Sequence, residues 1–224
     1  AAPEVLTEAR DGVLIVTLNR PEAKNAASKK LSELVAAAMD RLDSEDELRV
    51  GIITGAGGTF CSGMDLKGFL RGETPHVPGR GFAGLTEAPP KKPLIAAVDG
   101  YALAGGFEIM LACDLVVANR DAKFGIPEAK RGLAAAAGGL VRLPRQIAPR
   151  LAMELAFELA AAITANGPLA VARSKQIIVE SRDWSEGEMW KKQSEVLGNL
   201  FMTEDAREGA AAFAEKRKPN WKGR

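Results

Sequence analysis

Histidine is almost missing from this sequence: His76, in a glycine- and proline-rich stretch, is the only one. A zinc site built from several histidines is therefore excluded, and a catalytic triad would have to use this single loop residue. The two cysteines, Cys61 and Cys113, form neither a disulfide framework nor a metal-binding spacing, which indicates reduced thiols in a cytoplasmic protein. Chemistry is expected to use carboxylates, backbone groups or a bound cofactor.

Long apolar runs and a charge excess are also missing. No apolar run approaches the roughly 20 residues that span a bilayer, and the N-terminus lacks the basic-then-apolar pattern of a signal peptide. The formal net charge of +1 gives no field that would draw the protein to nucleic acid or an anionic membrane. With 46% hydrophobic and 26% charged residues, the 224-residue chain is typical of a globular protein.

The spacing of apolar residues changes along the chain, from patterns typical of strands and helices to patterns typical of helices alone. Strands are predicted at 5–9 and 12–18, and buried strands at 50–54, 94–98 and 114–118. Ser28 is predicted to cap a helix that places Leu31, Leu34, Val35, Met39 and Leu42 on one face. A helix is predicted at 105–112, and after Pro149 the helical segments 151–165, 169–181, 185–200 and 204–216 follow. This order predicts an α/β core, residues 1–148, and a helical C-terminal region, residues 149–224.

The first segment that could take part in catalysis or binding runs from Thr54 to Lys67, where a strand enters a glycine-rich loop. Glycines let the backbone approach a ligand closely, although most such clusters are surface turns. A dinucleotide fold does not fit, because Thr59 stands where the second glycine is needed, and Tyr101 is followed four residues later by Gly105 instead of a lysine. A phosphate-binding P-loop does not fit, because no Gly-Lys-Ser/Thr follows.

Two further segments carry a glutamate each. In the second, Gly105 and Gly106 begin a helix whose free N–H groups could stabilise an oxyanion, and Glu108 lies one turn along. Taken alone, Glu108 is better explained as a first-turn acid that complements the helix dipole. In the third, the run Phe124-Gly-Ile-Pro-Glu128 precedes a stretch of small residues, and a Pro-Glu pair by itself usually begins a helix.

In combination and in this order, the three segments resemble the enoyl-CoA hydratase/isomerase (crotonase) family. The family's Ala-Gly-x-Asp signature is similar to Ser62–Asp65, its Gly-x-x-Glu helix start to Gly105–Glu108, and its Phe-Gly-x-Pro-Glu run to Phe124–Glu128. The resemblance extends from Asn19 to Arg217. It implies a spiral of ββα units that carries the active site and a helical C-terminal region that mediates trimer contacts.

The resemblance implies a role for each matched residue. The N–H groups of Met64 and Gly105 would form an oxyanion hole for the thioester carbonyl, Glu108 would mainly activate water, and Glu128 would mainly handle the Cα proton. No metal and no cofactor is implied, since CoA is part of the substrate. The CoA and substrate contacts are expected at Ala26, Ser62, Gly63, Met64, Asp65, Leu66, Lys67, Gly105 and Gly106.

Two glutamates favour hydration of a trans-2-enoyl-CoA. The alternatives are an enoyl-CoA isomerase, a hydratase of a specialised acyl group such as a carnitine-derived one, and a silent acyl-CoA-binding subunit. The family resemblance implies a homotrimer or hexamer, in which Lys216 and Lys218 of the basic tail are candidate partners for a CoA phosphate, although a solvated tail is the simpler interpretation.

The chain departs from the family near positions 156 and 157, where a helix, a strand-like stretch and another helical start are expected. Either the protein has lost them or the numbering runs across omitted residues, and the good match of both flanks favours omission. Because this part borders the acyl pocket in the family, the sequence does not define the acyl-chain length. Residues 134–137 are alanines where many members carry a proline.

Overall fold

The computed structural model describes residues 2–148, 151–152 and 166–224. The chain forms two compact units. The first comprises residues 1–68 and 72–124, and the second comprises residues 69–71 and 125–224. The sequence predicted a division of another kind, between a core that carries the active site, residues 1–148, and a helical region that mediates assembly, residues 149–224. These two roles stay a prediction.

The first unit is built mainly of strands. The strands are β1 (Val5–Arg10), β2 (Val13–Leu18), β3 (Val50–Gly55), β4 (His76–Val77), β5 (Gly81–Phe82), β6 (Leu94–Val98), β7 (Tyr101–Leu103), β8 (Leu115–Ala118) and β9 (Lys123–Gly125). The helices are α1 (Lys29–Ser44), α2 (Leu66–Leu70) and α3 (Gly105–Leu111). This content agrees with the predicted mixture of strands and helices.

Five strands form one sheet in the order β1-β2-β3-β6-β8. The pair β1 and β2 is an antiparallel hairpin, as predicted, and the other neighbours are parallel. Thr54 near the end of β3 pairs with Ala97 near the end of β6. The two glycine-rich segments, which follow these adjacent parallel strands, therefore begin side by side at the carboxyl ends of the strands. Ligands commonly bind at this end of such sheets.

Alternation and capping explain the core of this unit. In β2, Leu14, Val16 and Leu18 are fully buried while the residues between them are partly exposed. The Ser28 hydroxyl accepts a hydrogen bond of 2.9 Å from the Leu31 N–H at the start of α1. The cap predicted from the sequence is confirmed, and four of the five predicted apolar residues are buried, Leu34 being partly exposed.

The strand predicted at 114–118 is confirmed as β8, but the prediction that it is buried was wrong. All four residues of β8 are exposed, and the exposed fractions of Leu115 and Val117 reach 60% and 65%. Within the described part of the chain, the strand occupies one edge of the sheet and pairs with β6 alone. An apolar run indicates that a strand can be buried on both faces, but it does not supply the neighbours that would cover them.

The described part of the second unit is mainly helical, with 3-10 turns at Pro127–Arg131, Ser181–Asp183 and Leu200–Met202. Its helices are α4 (Gly139–Gln146), α5 (Pro168–Glu180), α6 (Glu186–Leu197) and α7 (Glu204–Ala214). The helices predicted at 169–181, 185–200 and 204–216 are confirmed, the first shifted by one residue and the other two shorter than predicted. The helix predicted at 151–165 lies almost wholly outside the described residues. No helix within the described ranges is long and apolar enough to cross a membrane.

Candidate active site

The loop after β3 is fixed by a short parallel bridge to the segment before α1. The Ala27 N–H donates to the Gly63 carbonyl at 2.7 Å, and the Asp65 N–H donates to the Ala27 carbonyl at 3.0 Å. These bonds use the groups on either side of Met64. Within the described part of the chain the Met64 N–H itself has no hydrogen-bond acceptor, so it is available to a ligand.

The second candidate donor lies at the start of α3. The N–H groups of the first turn of a helix have no intrahelical acceptor. Here the Phe107 and Glu108 N–H groups are satisfied by the Ala104 carbonyl, at 2.9 and 3.1 Å. The Gly105 N–H finds no acceptor among the residues that the structure describes, and it therefore has the free donor that an oxyanion site requires.

The fold brings these two donors together. Gly63, the residue before Met64, has a φ of +103°, and a Cβ added to it would lie 3.2 Å from the Gly105 nitrogen and 2.7 Å from the Ala104 Cβ. The backbone of the loop Ser62–Asp65, called the signature loop below, therefore touches the start of α3. A residue with a side chain at position 63 would separate the two segments and would also be strained at this φ.

The glycines that begin α3 are required for close packing. A Cβ at Gly106 would lie 2.1 Å from the Cys61 carbonyl oxygen, and a Cβ at Gly105 would lie 2.4 Å from the tip of the Phe82 ring. The preceding Ala104 has φ +54° and ψ −129°, a conformation that non-glycine residues rarely adopt and that costs about 1–3 kcal/mol. Such backbone strain is often concentrated at functional sites.

A buried polar network supports the signature loop, and sequence analysis assigned no role to it. The Asn25 side chain is fully buried and donates to the carbonyls of Ala56 and Thr59, at 2.9 and 2.6 Å. The Arg20 guanidinium donates to the Ala26 carbonyl at 2.6 Å and to Asp65 at 3.1 Å. Both residues lie at the start of the segment that resembles the family, which begins at Asn19.

Asp65 is a structural cap in this arrangement. Its carboxylate accepts hydrogen bonds from the Lys67 and Gly68 N–H groups, at 3.1 and 3.2 Å, and pairs with Arg20. Burial works to raise the pKa of Asp65, but the Gly68 N–H and the Arg20 guanidinium outweigh it and hold the pKa below its usual range. The carboxylate therefore stays ionised and fixes the loop that carries Met64.

Glu108 lies in the same unit as the two free amides, one turn into α3. Only 3% of its surface is exposed, and its neighbours along the helix are all buried. A surface acid that merely complements a helix dipole would be solvated, so burial removes the main support for that simpler interpretation. Glu108 is therefore a carboxyl held inside the protein, on the helix that begins at Gly105.

Glu128 lies in the second unit, in the 3-10 turn that Pro127 begins. Both of its carboxylate oxygens are buried, and neither has a hydrogen-bond partner in the described part of the chain. Burial disfavours the charged form and raises the pKa of Glu128 to about 7, although the nearby Arg131 charge acts in the opposite direction. A carboxyl that titrates near neutral pH is well matched to proton transfer.

The remaining predicted contacts differ in exposure. Ala26 and Gly63 are buried, Ser62, Met64 and Leu66 are partly exposed, and Lys67, Lys216 and Lys218 are exposed. Burial raises the pKa of the Cys61 thiol to about 11, so this cysteine is a neutral packing residue. Within the described ranges no three acidic, histidine or cysteine side chains are grouped to hold a metal ion.

Comparisons with known proteins agree in one family. An enoyl-CoA hydratase of Mycobacterium tuberculosis, EchA19, is 40% identical over 265 positions that cover 100% of this chain and 98% of that protein. A carnitinyl-CoA dehydratase of Proteus mirabilis is 39% identical over 96% of this chain and 97% of that protein. The crystal structure of an enoyl-CoA hydratase of Mycobacterium marinum is 54% identical, with a TM-score of 0.69 and full coverage of both chains.

The alignment with the M. tuberculosis protein spans 265 positions and this chain has 224 residues, so about 41 positions have no counterpart here. A missing segment was predicted near 156/157, which lies outside the described residues. The sequence profile of the enoyl-CoA hydratase/isomerase family matches residues 8–158, more than half of the chain. Together with the full-length relatives, this match shows that the chain belongs to the enoyl-CoA hydratase/isomerase family.

Proposed function

We propose that this protein is an enoyl-CoA hydratase that adds water across the 2,3 double bond of a trans-2-enoyl-CoA. The observation that carries the proposal is the pair of free N–H groups at Met64 and Gly105, held together by the contact of Gly63 with the start of α3. Two converging amide donors suit a thioester carbonyl that becomes an enolate oxygen. The buried acid Glu108 follows on the same helix.

The Met64 and Gly105 amides would polarise the thioester carbonyl and make Cβ electrophilic. Glu108, as a carboxylate, takes one proton from water while the hydroxyl oxygen forms its bond to Cβ. The electron pair of the double bond moves into the thioester, and the negative charge comes to rest on the carbonyl oxygen. Losing one donor of such an oxyanion hole typically costs about 3–4 kcal/mol of transition-state stabilisation.

Glu128 is assigned to the second proton transfer. In its neutral form it donates a proton to Cα as the enolate collapses to the thioester, which completes the addition of water. The pKa near 7 keeps a substantial neutral fraction at neutral pH. The reaction leaves Glu108 protonated and Glu128 ionised, so the pair carries one proton before and after the chemical step.

This proton count predicts the same pH dependence in both directions. Hydration consumes no net proton, so its equilibrium constant is independent of pH, and kcat/KM for hydration and for dehydration must change together. We expect both to fall about tenfold per pH unit above about pH 7, where Glu128 of the free enzyme ionises. Initial rates with crotonyl-CoA and with 3-hydroxybutyryl-CoA between pH 5 and pH 9 measure this. A flat profile across pH 6–9 would contradict the assignment.

CoA is proposed to lie along the signature loop. We propose that the partly exposed Ser62, Met64 and Leu66 and the exposed Lys67 contact it. Ala26 is linked to Asp65 of the same loop through Arg20. Lys216 and Lys218 are exposed and are proposed to meet a CoA phosphate in a homotrimer or hexamer. We further propose a cytoplasmic enzyme, with residues 1–148 carrying the active site and residues 149–224 mediating assembly.

A second candidate is a hydratase or dehydratase of a polar acyl-CoA. Relatives of nearly full length are named carnitinyl-CoA dehydratase, and a mevalonyl-CoA hydratase of Aspergillus fumigatus is 36% identical over 94% of this chain. A polar acyl group needs a charged or hydrogen-bonding partner beyond Cβ. Parallel assays with crotonyl-CoA, octenoyl-CoA and crotonobetainyl-CoA separate the two candidates by their kcat/KM values.

The direct test is the loss of enoyl-CoA absorbance when the enzyme is added. The hydratase proposal expects absorbance loss with at least one trans-2-enoyl-CoA and tight binding of acetoacetyl-CoA, whose enolate resembles the intermediate. Binding of acetoacetyl-CoA without turnover of any enoyl-CoA would support a silent subunit instead. Conversion of a 3-enoyl-CoA to the 2-enoyl isomer, without hydration, would support an isomerase.

A further inference from the structure

Helix α7 lies in direct contact with the 3-10 turn that carries Glu128, and both belong to the second unit. A Cβ added to Gly209 of α7 would lie 1.9 Å from the Arg131 carbonyl oxygen. A Cβ added to Gly132, just after the turn, would lie 2.7 Å from the Asp205 carbonyl oxygen of the same helix. The backbones of the helix and the turn therefore touch at two points, each of which admits only glycine.

A side-chain contact continues this interface. The Arg131 guanidinium stacks on the ring of Phe213, with its carbon 4.3 Å from the ring centroid. A cation over an aromatic face at this separation is attracted by the negative face of the ring. The Arg131 side chain is therefore fixed from the helix side, although it belongs to the turn.

Among the described residues, the other charged groups around this turn are paired or exposed. Asp205 accepts from the Lys222 and Gly223 N–H groups, Glu208 pairs with Arg217, Lys222 and Arg224 pair with Glu204, and Lys130, Arg173, Lys175 and Arg207 are exposed. Among the described residues, Arg131 is the one whose charge acts appreciably on the Glu128 carboxyl. A contact that holds the Arg131 guanidinium in place therefore affects the electrostatic potential at the Glu128 carboxyl.

We propose that Phe213 is a positioning residue for the acid Glu128, acting through the stacked guanidinium of Arg131. Phe213 lies 85 residues along the chain from Glu128 and is 52% exposed, so sequence and exposure alone would class it as a surface residue. The C-terminal helix then contributes to the chemistry of the turn as well as to packing. The proposal rests on the proposed function only for its effect on catalysis.

The expected effect has a definite sign. A neighbouring cation favours the ionised carboxyl and lowers its pKa. When Phe213→Ala removes the stacking surface, Arg131 keeps its 3.4 Å hydrogen bond to the Pro127 carbonyl but is held less firmly, and the pKa of Glu128 should rise above about 7. The alkaline limb of kcat/KM should move upward with it, and kcat should fall about tenfold because the turn is less well held.

The variants Phe213→Ala, Phe213→Leu and Phe213→Tyr separate the ring face from mere bulk. Tyr keeps an aromatic face and should restore the parent pH profile, whereas Leu keeps apolar volume and should not. Arg131→Gln should move the alkaline limb in the same direction as Phe213→Ala. If Phe213 acts only through Arg131, the double variant with Arg131→Gln and Phe213→Ala should have the same alkaline limb as Arg131→Gln alone. Met202→Ala, at a site that is 73% exposed, serves as the unaffected control.

A measurement independent of turnover keeps this proposal distinct from the hydratase assignment. The carboxyl C=O stretch of Glu128 can be titrated by difference infrared spectroscopy with Glu128→Gln as the blank. A raised midpoint in Phe213→Ala or Phe213→Leu, restored in Phe213→Tyr, supports the proposal even if no enoyl-CoA is hydrated. An unchanged midpoint, or equal shifts in Leu and Tyr variants, would overturn it.

Discussion

Glu108→Gln and Glu128→Gln are each expected to lower kcat for hydration by about 10²–10⁴-fold, the contribution that a positioned acid–base group usually makes. Glutamine keeps the shape of each side chain but can neither accept a proton from water nor donate one to Cα. KM should change little, because neither carboxyl is assigned to CoA binding. Stopped-flow absorbance with crotonyl-CoA and calorimetry with acetoacetyl-CoA measure the two effects separately.

The stability of Glu128→Gln provides the internal control. The pKa of Glu128 rises from 4.5 to about 7 on folding, so its contribution to stability is fully present below pH 4.5 and is lost as the pH rises through 7. At pH 8 the buried carboxylate should destabilise the native state by about 3 kcal/mol relative to low pH. The variant should therefore melt higher than the parent at pH 8, and this gain should vanish near pH 4.5. An inactive variant that also melts lower at pH 8 would indicate a folding defect instead.

Gly106→Ala is expected to lower kcat/KM by about 10²–10³-fold, the range seen when one oxyanion donor is removed. The added methyl would lie 2.1 Å from the Cys61 carbonyl oxygen, which belongs to rigid backbone between β3 and the signature loop. Relief requires the start of α3 to move away from that loop. The proposed convergence of the Gly105 and Met64 N–H groups on one oxygen atom would then be lost.

Two matched glycines control this prediction. Gly105→Ala meets the tip of the Phe82 ring at 2.4 Å, and a partly exposed ring can rotate, so its loss of activity should be smaller. Gly187→Ala, exposed near the start of α6 with open space around it, should keep full activity and gain about 0.5–1 kcal/mol of stability. Equal losses in the Gly105 and Gly106 variants would show that the backbone clash with Cys61 is not what controls the site.

The sequence was most informative where local rules act alone. The β1–β2 hairpin, the Ser28 cap of α1 and the helical character of 169–214 follow from alternation, capping and helical periodicity, and the structure agrees with them. The proximity of the two glycine-rich segments came only from the family resemblance. The structure explains it physically, because the adjacent parallel strands β3 and β6 end side by side.

Other features depended on tertiary contacts that no local pattern encodes. The buried Asn25, the Arg20–Asp65 pair and the contact of Phe82 with Gly105 join residues that are 20 to 45 positions apart. The same limit produced the wrong prediction for β8, whose apolar residues resemble those of a covered strand but lie at an exposed sheet edge. The stacking of Arg131 on Phe213 likewise has no signature in the sequence of either residue.

The most direct test of the central claim is the mass of the product formed in water enriched with oxygen-18. A hydratase incorporates one solvent oxygen at Cβ, so crotonyl-CoA should yield a labelled 3-hydroxyacyl-CoA, at a rate that falls by orders of magnitude in Glu108→Gln. If the active protein leaves enoyl-CoAs of several lengths unlabelled, or labels them equally well without Glu108, the assignment of water addition to this site is wrong.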